Sequence, residues 1–312
     1  MGGTLARIQY QIGKDAARKA HTSWYRGEHC HFLPSQANLA EPDAIDKYVC
    51  SGWIPTAPFI KKSDKVLTFG SCFAKEVQTR LRKRGIDTTG RIDTRHIPVV
   101  RQAAGINNTF AVRQQFEWAF LGKKPNESLW WDANRNQVEA IEEDRKLTQQ
   151  VFAETDVFII TLGLAEVWFN KSTGEVFWRA IPRTLFDPNV HGFKLSSVEE
   201  NTNNLTQIHH LIRTFVPDAS IIFTLSPVPL VATFRPVSCV TANSVSKAVM
   251  RVSVDNLMQS AQDDRLFYWP SYEIVNDIVA QPYQEDNRHV RPEVVDLIMD
   301  RFERFYLVQD RA

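Results

Sequence analysis

Lys65-Val66-Leu67-Thr68-Phe69-Gly70-Ser71-Cys72-Phe73-Ala74 changes its periodicity in the middle. Val66 to Phe69 is a short apolar run, long enough for a buried strand and too short for a helix of its own. Beyond Gly70, Ala74, Val77 and Leu81 recur at helical spacing. Arg80, Arg82, Lys83 and Arg84 crowd the end of that pattern, where the helix dipole favours cations, and Gly85 stops it. The stretch reads as strand, tight turn and helix. Ser71 falls at the carboxyl end of the strand and the amino end of the helix, where free backbone N–H groups can stabilise an oxyanion. The plainer reading of the stretch by itself is a helix cap, with the Ser71 hydroxyl accepting from the N–H of Phe73 or Ala74.

The chain of 312 residues, 43% hydrophobic and 23% charged, can bury a full core as one large α/β domain or as one plus an arm. A formal net charge of +1 calls for neither a nucleic-acid partner nor an anionic membrane surface. Cys30, Cys50, Cys72 and Cys239 match no zinc spacing. His29-Cys30-His31 has no second cluster to complete a tetrahedral set, so neither a metal nor an organic cofactor is expected. No early apolar segment and no run of membrane-spanning length occurs, which makes the cytoplasm the default compartment.

Residues 1–62 read as an N-terminal arm packed on the main domain. Pro34, Pro42, Pro55 and Pro58 forbid long helices there, and scattered aromatics such as Trp24, Tyr25, Trp53 and Phe59 supply anchors. Residues 63–312 form the main domain. Ile86 to Thr89 is a candidate second strand, followed by a long loop to Asn108, then helices over 113–121 and 138–151. Asp156 to Leu162 is an almost unbroken apolar run, as expected of a parallel strand covered on both faces. An insertion around 169–195 is expected to turn a hairpin at Thr173-Gly174, pairing Trp168-Phe169 with Val176 to Trp178. Helix 198–215, strand 220–225, helix 243–259, strand 266–269 and helix 292–306 complete the alternation. The expected fold is a three-layer α/β/α sandwich around a mostly parallel sheet, with ligands beyond the carboxyl ends of its strands.

A serine nucleophile needs a base, and the base needs an orienting carboxylate. Asp286-Asn287-Arg288-His289 offers both in one loop before the last helix, a spacing that lets a short turn bring the carboxylate onto one imidazole nitrogen. Taken singly, Asp286 is an ordinary turn residue and His289 an ordinary surface histidine. Cys72 is an alternative nucleophile, though more plainly a small buried hydrophobe. His96 is an alternative base. Asn243, Ser246 and Lys247 read as surface residues of a helix facing the cleft.

Gly70-Ser71-Cys72-Phe73-Ala74 resembles the signature of the GSCFA family, a branch of the SGNH (GDSL-like) hydrolase superfamily. The resemblance extends in order through Asn108-Thr109-Phe110 with Arg113 to Gln115, Thr161 to Trp168, Ser226 to Pro229, Pro270 to Ile274 and Asp286 to His289. It implies a flavodoxin-like sandwich and an esterase acting on an O-acyl ester, including O-acetyl, of a carbohydrate or small molecule. It implies Ser71 as nucleophile, His289 as base and Asp286 as its orienting partner. The backbone N–H of Ser71 or Cys72 and that of Gly105 would line an oxyanion hole, with Asn108 as a nearby donor. The superfamily's Gly-x-Asn-Asp block departs here: Gly163 is followed by Leu164, Ala165 and Glu166, so the usual asparagine is absent at Ala165. Glu166 and Trp168 are candidate substrate-binding residues, Glu166 alternatively pairing with an arginine. Two further readings share the fold: an O-acyltransferase using the same triad, and a binding protein without catalysis. A phosphate binder lacks its glycine-rich loop and lysine.

Overall fold

The computed structural model describes residues 31–70, 73–88, 108–124, 131 and 135–309 in full, and the backbone alone at 6–11, 17–22 and Cys72. The chain divides into two compact units, Met1–Ala44 and Ile45–Ala312. The first carries an antiparallel pair, β1 (Ala6–Gln11) and β2 (Ala17–Thr22), with Ala6 opposite Thr22. It also holds one turn of helix, α1 (Gln36–Leu39), closed by a reciprocal capping box between Ser35 and Asn38. Residues 45–62 belong to the second unit, where Ile45, Cys50 and Ile60 are buried in the main core.

The second unit is built on a four-stranded parallel sheet. Its members are β3 (Val66–Phe69), β4 (Val157–Leu162), β7 (Ser220–Leu225) and β8 (Leu266–Trp269), in that spatial order. Asp87 adds a parallel bridge to Lys65 on the outer side of β3, so the expected second strand is a single bridged position at this edge. The strands are mostly apolar because both faces are covered. Leu67, Phe69, Phe158, Ile160, Leu162, Ile221 and Phe223 enter one core cluster; Val66, Val157, Ile159 and Ile222 enter the other. Helices α2 (Cys72–Lys83) and α8 (Pro292–Tyr306) pack on the second face through Phe73, Val77, Leu81, Ile298 and Phe302. Helices α3 (Thr109–Leu121), α4 (Glu142–Ala153), α5 (Val198–Phe215) and α6 (Cys239–Ser260) cover the first. This is the three-layer sandwich expected from the alternation.

The two longest departures from the sequence reading are at helix starts and in the insertion. Helix α3 begins four residues earlier than expected because Asn108 is its N-cap, its Oδ1 accepting the N–H of Ala111 at 2.9 Å. Helix α6 likewise starts at Cys239, capped by Ser238. In the insertion, β5 (Glu166–Asn170) takes β6 (His191–Leu195) as its full antiparallel partner. The expected partner, Val176, makes one bridge to Phe169 across the turn at Gly174. Both edges of β5 are therefore used, and the longer ladder goes to the segment that buries Phe193 against Trp168.

The order in which strands are added reverses at β3: the first crossover leads outward to Asp87, the next inward to β4. Such a switch point opens a crevice beyond the strands' carboxyl ends. Gly70 stands there with φ +137°, and a Cβ on it would lie 2.7 Å from Thr161 Cβ and 2.8 Å from Thr161 O. Only glycine lets β3 end this close to β4. Gly70→Ala is expected to cost about 2–5 kcal/mol through backbone strain and overpacking. A thermal melt checks this, and an unchanged midpoint would mean that the crevice floor is not close-packed.

Candidate active site

The loop between the π-helical turn at Ile274–Ile278 and α8 folds back on itself. Tyr283 and Val290 bridge its two arms, and the N–H of Gln284 donates to His289 O at 2.8 Å. Asn287 occupies the left-handed region at φ 53°, a conformation asparagine tolerates, and this closes the turn. Asp286 is held from two directions. Its Oδ1 accepts the backbone N–H groups of Arg288 at 3.0 Å and His289 at 2.9 Å, and its Oδ2 is hydrogen-bonded to His289 Nδ1. These bonds, the backbone N–H of His289 foremost and then its side chain, hold the Asp286 carboxyl down at about 2. Both side chains are 47% exposed, so Nε2 of His289 is the nitrogen left for other chemistry. Arg288 Nη1 stands 3.5 Å from that Nε2.

The loop belongs to the sheet's carboxyl edge. Tyr283 donates its hydroxyl to Pro227 O, just beyond β7, at 2.9 Å. Arg288 lines a cavity of about 320 Å³ together with Asn108, Gly163 and Ser226. The sequence-predicted strand ends at Gly163 and Ser226 thus meet the Asp-x-x-His loop. Glu166 and Trp168 line the same cavity. The Glu166 carboxylate accepts from Thr233 Oγ1 at 2.7 Å and pairs with Arg235 Nη1 at 3.3 Å, which ties the 228–235 loop to β5. Trp168 packs its ring against Phe193 and Phe234, with centroids 4.9 and 4.8 Å away. Ser71, Gly105, His96, His29 and Cys30 lie outside the described residues, as does the Cys72 side chain.

At the departed block, Ala165 is fully buried and its backbone is fully used. Its N–H donates to Ser246 Oγ at 2.9 Å, and its carbonyl accepts from Ser196 Oγ at 2.6 Å. Ser196 in turn accepts from Asn201, which accepts from Thr109 beside the α3 cap. This chain of buried polar groups couples the starts of α3 and α5 to the end of β4, and every partner along it is another fixed element.

The surface reading of Ser246 and Lys247 is corrected by the structure: both are buried, at 0% and 1% exposure. The Lys247 ammonium donates to Gly163 O at 3.2 Å, Ser226 O at 2.7 Å and Val228 O at 2.9 Å. Three carbonyls of two strand-end loops converge on it, and all three of its donors are spent. Burial, aided by the charge of Arg288, pushes the Lys247 amine down to about 7. Asn243 accepts the N–H of Leu230 at 3.0 Å, so three residues of one helix fix the two neighbouring strand-end loops. A sequence signal existed: Lys247 stands three residues before Met250 and seven before Val254, on the stripe that α6 buries.

Among the described residues no group of three or more His, Cys, Asp or Glu could hold a metal ion, and no helix is long and apolar enough to cross a membrane. What the arrangement offers is an oriented imidazole at the open edge of a doubly wound sheet, beside a cavity walled by aromatic rings. That defines an α/β protein with a carboxylate-oriented histidine at its switch-point edge. The GSCFA family profile matches residues 65–302, and the chain belongs to the GSCFA family.

No curated protein sequence matches the chain. Solved structures similar to it include a GDSL-like lipase from Bacteroides thetaiotaomicron, 11% identical, with a TM-score of 0.39 over 77% of this chain and 85% of that one. A carbohydrate esterase of family 3 from Talaromyces cellulolyticus is 9% identical, with a TM-score of 0.35 over 77% of this chain and 94% of that one.

Proposed function

We propose that the protein is a serine esterase that cleaves an O-acyl ester of a carbohydrate or small molecule through an acyl-enzyme. The observation that carries this reading is the Asp286–His289 pair, locked by backbone N–H groups in a loop tied to the sheet's carboxyl edge. Asp286 accepting from Nδ1 selects the tautomer whose Nε2 can take a proton. Ser71, between Gly70 and Cys72 in the sequence, is the proposed nucleophile. Its Oγ attacks the acyl carbonyl carbon while its proton passes to His289 Nε2. The C–O bond to the leaving alcohol then breaks, with His289 returning the proton to that oxygen. In the second half His289 deprotonates a water that attacks the acyl carbon; the bond from that carbon to Ser71 Oγ breaks, His289 returns the proton to Oγ, and the carboxylic acid leaves.

The tetrahedral oxyanion needs donors that do not reorganise. The proposed ones are the N–H of Cys72 at the start of α2, the N–H of Gly105 and the side-chain amide of Asn108. Asn108 Oδ1 is taken by the α3 cap, so its Nδ2 is the group it can offer the cavity it lines. Trp168 is proposed to contact substrate directly. Glu166 is proposed to act through the loop it holds by Thr233 and Arg235. Transfer to an acceptor hydroxyl would run through the same acyl-enzyme wherever that acceptor displaces water.

A fluorophosphonate probe tests the reading directly. Wild-type protein is expected to take one covalent adduct on the peptide containing Ser71, and Ser71→Ala to take none. An adduct that persists in Ser71→Ala, or none in the wild type, would overturn the assignment.

A further inference from the structure

The cavity beside the Asp286–His289 loop is far larger than an acetyl group requires. It encloses about 320 Å³, roughly twice the apolar cavity of about 150 Å³ that takes up benzene. Asn108 and Arg288 give it polar groups next to the imidazole loop, Arg179 and the Glu166 carboxylate, held by Thr233 and Arg235, add charged ones, and Trp168, Phe177, Phe193 and Phe234 give it aromatic ones. Three of those rings pack on one another, with centroids 4.8 to 5.1 Å apart, so the aromatic wall is a fixed surface. Water against such a wall finds few hydrogen-bond partners. At the same time Val231 and Phe234, both lining the cavity, remain 78% and 60% exposed. Apolar surface left open beside a reactive loop is surface that a substrate can cover.

We infer that the site takes esters of a medium-length apolar acyl group, of about eight carbons, with the aromatic wall holding the chain and Arg288 facing the carboxyl end. The inference deepens the proposed esterase reading and rests on it for the chemical step. Binding of the chain stands independently, because an alkyl chain gains about fourfold in affinity for each methylene it buries.

The test is calorimetric titration of the full chain with sodium octanoate and sodium acetate, repeated on Ala232→Trp. Ala232 lines the cavity and is exposed, so an added indole fills space without disturbing the core. Octanoate is expected to bind at least about 100-fold more tightly than acetate. Ala232→Trp is expected to weaken octanoate by tenfold or more, leave acetate unchanged and keep the wild-type melting temperature. Equal affinity for the two acids, or an octanoate affinity that Ala232→Trp does not change, would overturn the inference. The two readings fail separately. Octanoate bound by a protein that takes no fluorophosphonate supports the cavity assignment and sinks the hydrolase. An enzyme labelled at Ser71 that prefers p-nitrophenyl acetate to the octanoate ester sinks the cavity assignment alone.

Discussion

His289→Ala is expected to lower kcat for p-nitrophenyl ester hydrolysis by about 10⁴-fold or more, with little change in melting temperature. The size of the effect follows from the role: without Nε2, the serine proton has no acceptor, and a hydroxyl is a poor nucleophile. The stability is spared because the imidazole is half exposed and its bonds lie within its own loop. Asp286→Asn should cost less, about 10²–10³-fold, since an exposed imidazole can still find the productive tautomer by rotation and hydration. The pH dependence separates the two residues. The native carboxyl is held at about 2, below its ordinary value of 3.8. Its contribution is therefore complete above pH 4 and is lost only as pH falls toward 2. A pH–rate profile from 3 to 9 checks this: an acidic limb above pH 4 belongs to another group, and one that disappears in Asp286→Asn would contradict the assignment.

Lys247→Met should be, with Gly70→Ala, among the most damaging substitutions outside the reacting groups. It leaves the carbonyls of Gly163, Ser226 and Val228 buried without a donor. The expected loss is about 2–4 kcal/mol, or roughly 5–15 °C in melting temperature for a domain of this size. Activity should fall as well, because the same carbonyls belong to loops that line the cavity. The charge itself gives a second readout. The folded-state amine sits at about 7 and the ordinary lysine value is 10.5. Between those values the unfolded chain holds the proton that the folded chain has released, so wild-type stability rises with pH across that window. Below pH 7 the full burden of burying the ammonium is present. Denaturant melts of wild type and Lys247→Met at pH 6, 8 and 10 check the sign: their difference should widen in favour of wild type as pH rises. Parallel curves would show that the ammonium is not buried in solution.

The departure at Ala165 also has a physical consequence. In the superfamily pattern an asparagine at this place supplies an oxyanion donor; here the site is a buried alanine whose own N–H is spent on Ser246. The residue here is a strut between the end of β4 and α6. Under the proposed function the oxyanion donors come from other loops, and Asn108 is a described side chain beside the cavity that can give one.

Much of this was legible in the chain itself. Val66 to Phe69, Val157 to Leu162 and Ile221 to Leu225 declare buried parallel strands because every residue is covered, leaving no polar alternation to misread. The Asp286-x-x-His289 spacing declares its own hydrogen bond, because three residues around an asparagine turn suffice to close it. The ordered motifs from Gly70 to His289 fix the family. What lay beyond reach depends on partners distant in sequence. Lys247 meets Gly163 across 84 residues; its place on the buried stripe of α6 is legible, but no local pattern marks which carbonyls answer its charge. The expected pairing of β5 with Val176 forms as a bridge, and the longer partner, β6, escaped the sequence reading for a related reason. Thr173-Gly174 signals a turn, and the turn forms, but which strand completes the ladder is decided by the packing of Phe193 on Trp168 and Phe234. The sequence by itself thus determined the sheet, its open edge and the imidazole loop, all set by short-range periodicity and spacing. Only the tertiary structure decided how the loops at that edge are clamped and what shape of cavity they enclose, because burial and carbonyl pairing are properties of the assembled core.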